Sequence, residues 1–121
     1  MKVKRVNWIS QEALEAEVVV SDGEFDIICF AQPFHQLEES ELIQTIYCLN
    51  VSNVVKVEKR DYHIEKSVGD FSYSLIGKLI DKHGEKVKIG KLLLELDNNL
   101  IPEDIKEGDF ISFCCGRLDI Y

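Results

Sequence analysis

The chain has 121 residues, 45% of them hydrophobic and 30% charged, with a formal net charge of −8. This length and mixture exclude a disordered chain and suit one folded domain over residues 1–121 that can bury its own core. No apolar run is long enough to span a bilayer, and the basic start "MKVKRVNWIS" lacks the apolar stretch of a signal peptide, so the expectation is a cytoplasmic protein without membrane contact.

The dominant hydrophobic period is two, the mark of strands. Residues 2–10, "KVKRVNWIS", and 14–21, "LEAEVVVS", read as the first two strands. Asp22–Gly23 then joins the second to a third, "EFDIICFA", because both turn residues tolerate positive φ. Alternation in the third strand turns Phe25 and Ile27 inward and leaves Glu24 and Asp26 on the solvent face. Pro33 ends it, having no N–H for a ladder. The stretch "HQLEESELIQ" reads either as a short helical turn from Glu38 or as a polar loop. Extended structure resumes at "LIQTIYCL" and, after a turn at "NVSN", at "VVKVEK"; residues 60–70 form a connection without clear period.

The stretch 71–97 carries the strongest pattern. Phe71, Tyr73, Leu75 and Leu79 share one apolar face around Gly77, and "DKHG" reverses the chain. On the return the apolar set changes parity, from Val87 and Ile89 to Leu92, Leu94 and Leu96. One inserted residue produces such a change, so a β-bulge is predicted at Gly90–Lys91. In "IPEDIKEGDF", Pro102 suits the first position of a helical turn and Gly108 its left-handed end. A strand follows in "FISFCC", and Arg117–Tyr121 is a last short strand or tail.

Roughly seven short strands without long intervening helices argue against a parallel α/β fold. The order of hairpin, bulged strand, short helical link, Gly-Asp and strand over roughly the last 50 residues resembles OB-type and related small barrels. The predicted class is therefore mostly β: a curved antiparallel sheet or small OB-like barrel with one or two short helical turns.

Cys29, Cys48, Cys114 and Cys115 show no zinc-ligand spacing, and Cys29 and Cys48 sit among apolar neighbours as small buried hydrophobes. Cys114–Cys115 reads as part of a strand, with Cys115 on the face of Ile111 and Phe113. His35, His63 and His83 fall in predicted loops or turns, and no nucleophile-elbow, phosphate-loop or dinucleotide signature is present. The alternate acids of "SDGEFD" lack the remaining ligands of a calcium loop and read as a solvated face. No catalytic, cofactor-binding or metal residue is assigned, and no cofactor is expected.

Charge is distributed unevenly. Between Arg5 and Lys56 there are nine acids and no Lys or Arg, whereas residues 56–121 hold 11 basic against 13 acidic groups. An acidic surface attracts basic partners and repels duplex DNA. The expected function is a non-enzymatic module whose acidic face, Asp22, Glu24, Asp26, Glu38, Glu39 and Glu41, engages a basic protein partner; an immunity- or antitoxin-like inhibitor is one example. The alternative is an OB-type oligonucleotide-binding protein using the lysine-rich hairpin 76–91, with Lys78, Lys82, Lys86, Lys88 and Lys91. Against it, Phe71 and Tyr73 share the core parity and leave no stacking platform. A second alternative is a small enzyme whose site is assembled from residues distant in sequence.

Overall fold

Most of the strands carry one apolar face that must be buried, and the chain does this with a single mixed sheet. The computed structural model describes residues 1–96 and 101–121. Its strands are β1 (Lys2–Ser10), β2 (Glu15–Ser21), β3 (Asp26–Ala31), β4 (Ile46–Leu49), β5 (Ser52–Val57), β6 (His63–Lys66), β7 (Tyr73–Asp81), β8 (Lys86–Ile89), β9 (Leu92–Leu96), β10 (Phe110–Cys115) and β11 (Arg117–Ile120). They lie in the order β1-β2-β3-β11-β4-β9-β8-β7-β10-β5, with β6 on β7.

The path is open, so the OB-like barrel is not formed. Its two ends are blunted in ways that prevent closure. β1 carries an extra residue at Lys4 and another at Ile9 relative to β2. Residues 39–42 run along its outer edge: Val3 N–H donates to Ser40 O at 2.9 Å, Glu39 N–H to Val3 O at 2.6 Å and Leu42 N–H to Met1 O at 2.9 Å. At the other end β5 places two residues, Asn53 and Val54, where β10 places one, Phe113, between the Ser52–Cys114 and Val55–Ser112 pairs, with Asn53 left-handed at φ 56°.

The sheet is also not purely antiparallel. β11 lies parallel to β3 and antiparallel to β4, and β4 lies parallel to β9. β11 fills the slot that the 32–45 connection leaves between β3 and β4. The sequence read as a possible tail is thus central. Leu118 and Ile120 are buried in the core, and Asp119, only 4% exposed, is held in a bidentate pair by Arg117 at 2.5 and 2.7 Å. Arg117 also stacks on Phe30, 4.5 Å from the ring centroid.

Curling of the sheet brings the inward side chains of all but β5 and β6 into one core cluster, including Val18, Ile27, Leu75, Leu94, Phe113 and Leu118. Tyr73 stitches it: beyond the reach of short β11, the Tyr73 hydroxyl accepts the Ile28 N–H at 2.9 Å. Cys114–Cys115 is a strand segment, with Cys115 buried beside Ile111 and Phe113.

Gly90–Lys91 is a two-residue hairpin turn between β8 and β9, with Ile89 opposite Leu92, and no bulge. Gly90 at φ +60° is the first turn residue, as a type II′ turn requires. Across such a turn, partners differ in parity, so the alternation switched without an insertion. The extra residue lies instead at Ile80 in β7. The predicted strand end at Asp97 lies outside the described residues.

No helix forms among the described residues. In 102–109 two isolated turns form, Ile105 N–H to Pro102 O at 3.1 Å and Asp109 N–H to Lys106 O at 3.0 Å, and the carbonyls of Pro102, Glu103 and Ile105 converge on Lys82 Nζ at 3.2, 2.9 and 2.6 Å. Asp109 caps the segment by accepting from Lys106 N–H. In 35–44 the pairing with β1 leaves only a turn at Leu37–Ser40. Phe71, expected in the core, is 42% exposed under Lys66.

Candidate functional site

The β2–β3 hairpin tip organises the acidic residues. Its loop is wider than Asp-Gly alone suggests: Ser21 pairs with Asp26, so Glu24 and Phe25 belong to the turn. Asp22 builds that turn. Its Oδ1 accepts the N–H groups of Glu24 and Phe25 at 2.8 and 2.7 Å, and its Oδ2 accepts Lys91 N–H at 2.6 Å. Partial burial works to raise the Asp22 carboxyl pKa, but the N–H groups of Phe25, Lys91 and Glu24 outweigh it and hold the group below its usual range.

The tip is therefore bolted to the β8–β9 turn, 69 residues further along the chain. The fit requires glycine at position 90. A Cβ there would lie 2.5 Å from Asp22 Oδ2 and 2.7 Å from Phe25 Cδ2, at a φ that already favours glycine.

Beside the tip is a hollow of about 770 Å³ lined by Asp22, Glu24, Asp26, Glu39 and Glu41, five of the six acids predicted to act together; Glu38 lies outside its lining. The same hollow is lined by Lys2, Lys4 and Lys91. Lys4 Nζ meets Asp26 at 2.7 Å, and this bond, with the Ser21 hydroxyl, lowers the Asp26 pKa. Glu41 pairs with the Met1 amine at 2.8 Å, and Gln36 ties its loop together through Glu41 O and Ile43 N–H.

The six acids thus divide by task. Asp22, Asp26 and Glu41 are engaged within the fold. The carboxylates of Glu24, Glu38 and Glu39 are exposed and have no partner among the described residues. Sequence reading missed this division because the cations come from the opposite end of the acidic stretch and from Lys91.

Of the lysines of the late hairpin, Lys82 is bound by the 102–105 carbonyls, Lys91 faces the acidic hollow and Lys86 lies opposite Glu95, while Lys78 and Lys88 remain direct cross-strand neighbours. The histidines are exposed and separate, with His63 Nε2 at 4.0 Å from Glu65. Cys29, Cys48 and Cys115 are buried, and burial pushes the Cys29 thiol pKa upward; the Cys114 sulfur lies 3.7 Å from the Ser74 hydroxyl. Among the described residues no three His, Cys, Asp or Glu side chains are grouped to hold a metal ion, and no helix is long and apolar enough to cross a membrane.

No protein-family model matches the chain, and no curated protein or solved structure is significantly similar to it. A second hollow, of about 760 Å³, lies on the far side of the tip and shares Glu24 with the first. The arch 58–62 forms it in crossing from β5 to β6 over the outward face of β10 and β7. No sequence signal pointed to this hollow, because β6 carries no clear period and the rings that meet there, Phe25, Tyr62 and Phe110, are far apart in the chain.

Proposed function

We propose that this protein is a non-enzymatic cytoplasmic binding module that presents the 22–26 tip and the adjoining 38–41 loop to a basic protein partner. The supporting observation is the division of the acids: Glu24, Glu38 and Glu39 are exposed and uncommitted, on backbone held in place by Asp22, Asp26 and Glu41. Uncommitted carboxylates on a fixed scaffold steer a cationic surface and pair with its Lys or Arg at little cost in reorganisation. An immunity-like inhibitor covering a basic, nucleic-acid-cleaving toxin is one form such a module takes.

The test is the triple reversal Glu24→Lys, Glu38→Lys and Glu39→Lys, which breaks none of the side-chain bonds that hold the tip. With the basic partner recovered from the source cell, association should slow by at least about tenfold at low salt and lose most of its salt dependence. An association rate that is the same for variant and parent at low salt rules the acidic tip out as the docking surface.

A further inference from the structure

We infer that the second hollow is a binding site for a small planar aromatic molecule carrying one carboxylate or phosphate group. β5 and β6 lie on opposite sides of the β10–β7 pair, so residues 58–62 must cross that pair, and they do so on Phe110's side of the sheet. Tyr62 packs against Phe110 with ring centroids 5.3 Å apart and meets Phe25 edge-on at 6.1 Å. Phe110 is buried beneath them although it points away from the main core.

The cross-strand row next to Phe110 has no such cover. It runs Val55, Ser112, Ile76, His63, and Val55 at its end is 53% exposed. The hollow has apolar walls from Val57, Ile76, Phe25 and Tyr62, and its volume falls within the roughly 300–1,000 Å³ usual for small-ligand pockets.

The polar groups decide the ligand. Arg60 holds its guanidinium over the Phe110 ring, 5.3 Å from the centroid, and makes no ion pair among the described residues. The nearest acid in sequence, Asp61, is paired with Lys59 at 3.4 Å. Stacking restrains the planar fork and leaves its donors open, the arrangement that receives a carboxylate or phosphate in two parallel bonds. The Tyr62 hydroxyl has no hydrogen bond among the described residues, and with Glu24 it supplies acceptors for a ring N–H. A ring without the anion would leave Arg60 unused; an anion without the ring would leave the aromatic and aliphatic walls wet. This site does not depend on the partner proposed above, although both use Glu24.

The test is titration of the ¹⁵N-labelled protein with indole-3-acetate and, in a separate arm, phenyl phosphate, with indole and inorganic phosphate as half-ligand controls. The amides of residues 24, 25, 57–63 and 76 should shift together, and the preferred arm identifies the anionic group. Arg60→Gln should weaken binding by at least about tenfold, the loss of a charge-assisted pair, while leaving the remaining amide spectrum unchanged. Tyr62→Leu, which keeps the apolar wall but removes the ring, should also weaken it. The inference is refuted by the absence of shifts at millimolar probe, by shifts centred elsewhere, by an Arg60→Gln variant of parental affinity, or by either half-ligand binding as tightly as the joined molecules.

Discussion

Asp22→Asn is the sharpest probe of how the tip is held. The parent carboxylate accepts three main-chain N–H bonds, at 2.8, 2.7 and 2.6 Å, from Glu24, Phe25 and Lys91. The amide retains one oxygen, which can keep the two local bonds within the turn. Its NH₂ then faces the Lys91 N–H, donor against donor, and the link to the β8–β9 turn is lost. A hydrogen bond to a charged acceptor contributes about 1.5–3 kcal/mol, and the two surviving bonds weaken as their acceptor becomes neutral. The expected loss is about 2–3 kcal/mol at neutral pH, or a Tm about 6–12 °C lower for a domain of this size.

The effect must depend on pH in one direction. The folded-state pKa of Asp22 is depressed, so the unfolded chain takes up this proton first as pH falls. The stabilisation is fully present above the unfolded carboxyl pKa of about 3.9 and is lost as pH drops toward the lower folded value. The gap in Tm between parent and Asp22→Asn should therefore be widest at pH 5–7 and narrow toward pH 2. Amide exchange at Lys91 should accelerate in the variant at neutral pH. A gap below 1 °C at pH 7, or one that stays constant down to pH 2, refutes the claim that carboxylate charge fastens the tip.

Two further substitutions test the frame. Gly77 has a φ that any residue adopts, but a Cβ there would lie 2.7 Å from Lys88 O and 2.6 Å from Val87 Cγ1, where β8 replaces β6 along the edge of β7. A main-chain oxygen cannot step aside, so Gly77→Ala should cost about 2–3 kcal/mol, read as a lower urea midpoint with unchanged m-value. Lys82→Met keeps the stem but removes the ammonium from the carbonyls of Pro102, Glu103 and Ile105; it should cost about 2 kcal/mol and speed amide exchange in residues 103–106, whereas parental exchange there would show that the loop holds itself.

What the sequence made legible was alternation, and through it the mostly-β class and the core faces of β3, β7, β8 and β9. Period two reports which side of a strand is apolar, not which strand lies beside it. Hence Ile27, Leu75, Leu79, Leu92 and Leu94 are core as expected, while the place of β11 between β3 and β4 had no local mark. The same limit explains the bulge assigned to Gly90. A two-residue turn and an inserted residue both reverse parity, and only pairing of Ile89 with Leu92 separates them. β6 was invisible because it packs against a single neighbour with only Ile64 half-buried and His63, Glu65 and Lys66 exposed, which leaves no apolar period to read.

Charge was legible as a total and misleading as a map. A run of nine acids without a cation suggests a strongly negative surface, yet the cations that meet it are Lys2 and Lys4 before the run and Lys91 far beyond it. What separates a structural acid from an available one is the supply of partners in space. Asp22 has three N–H groups, Asp26 has Lys4 and Glu41 has the chain's own amine, whereas Glu24, Glu38 and Glu39 have only solvent. At the hollow itself, five carboxylates stand among three lysines and that amine, so its local charge is close to balance. Steering of a basic partner then falls to the three uncommitted glutamates. The salt dependence of association should accordingly match a few charges and not nine, which makes its slope a direct count of the acids that remain available once the chain has folded.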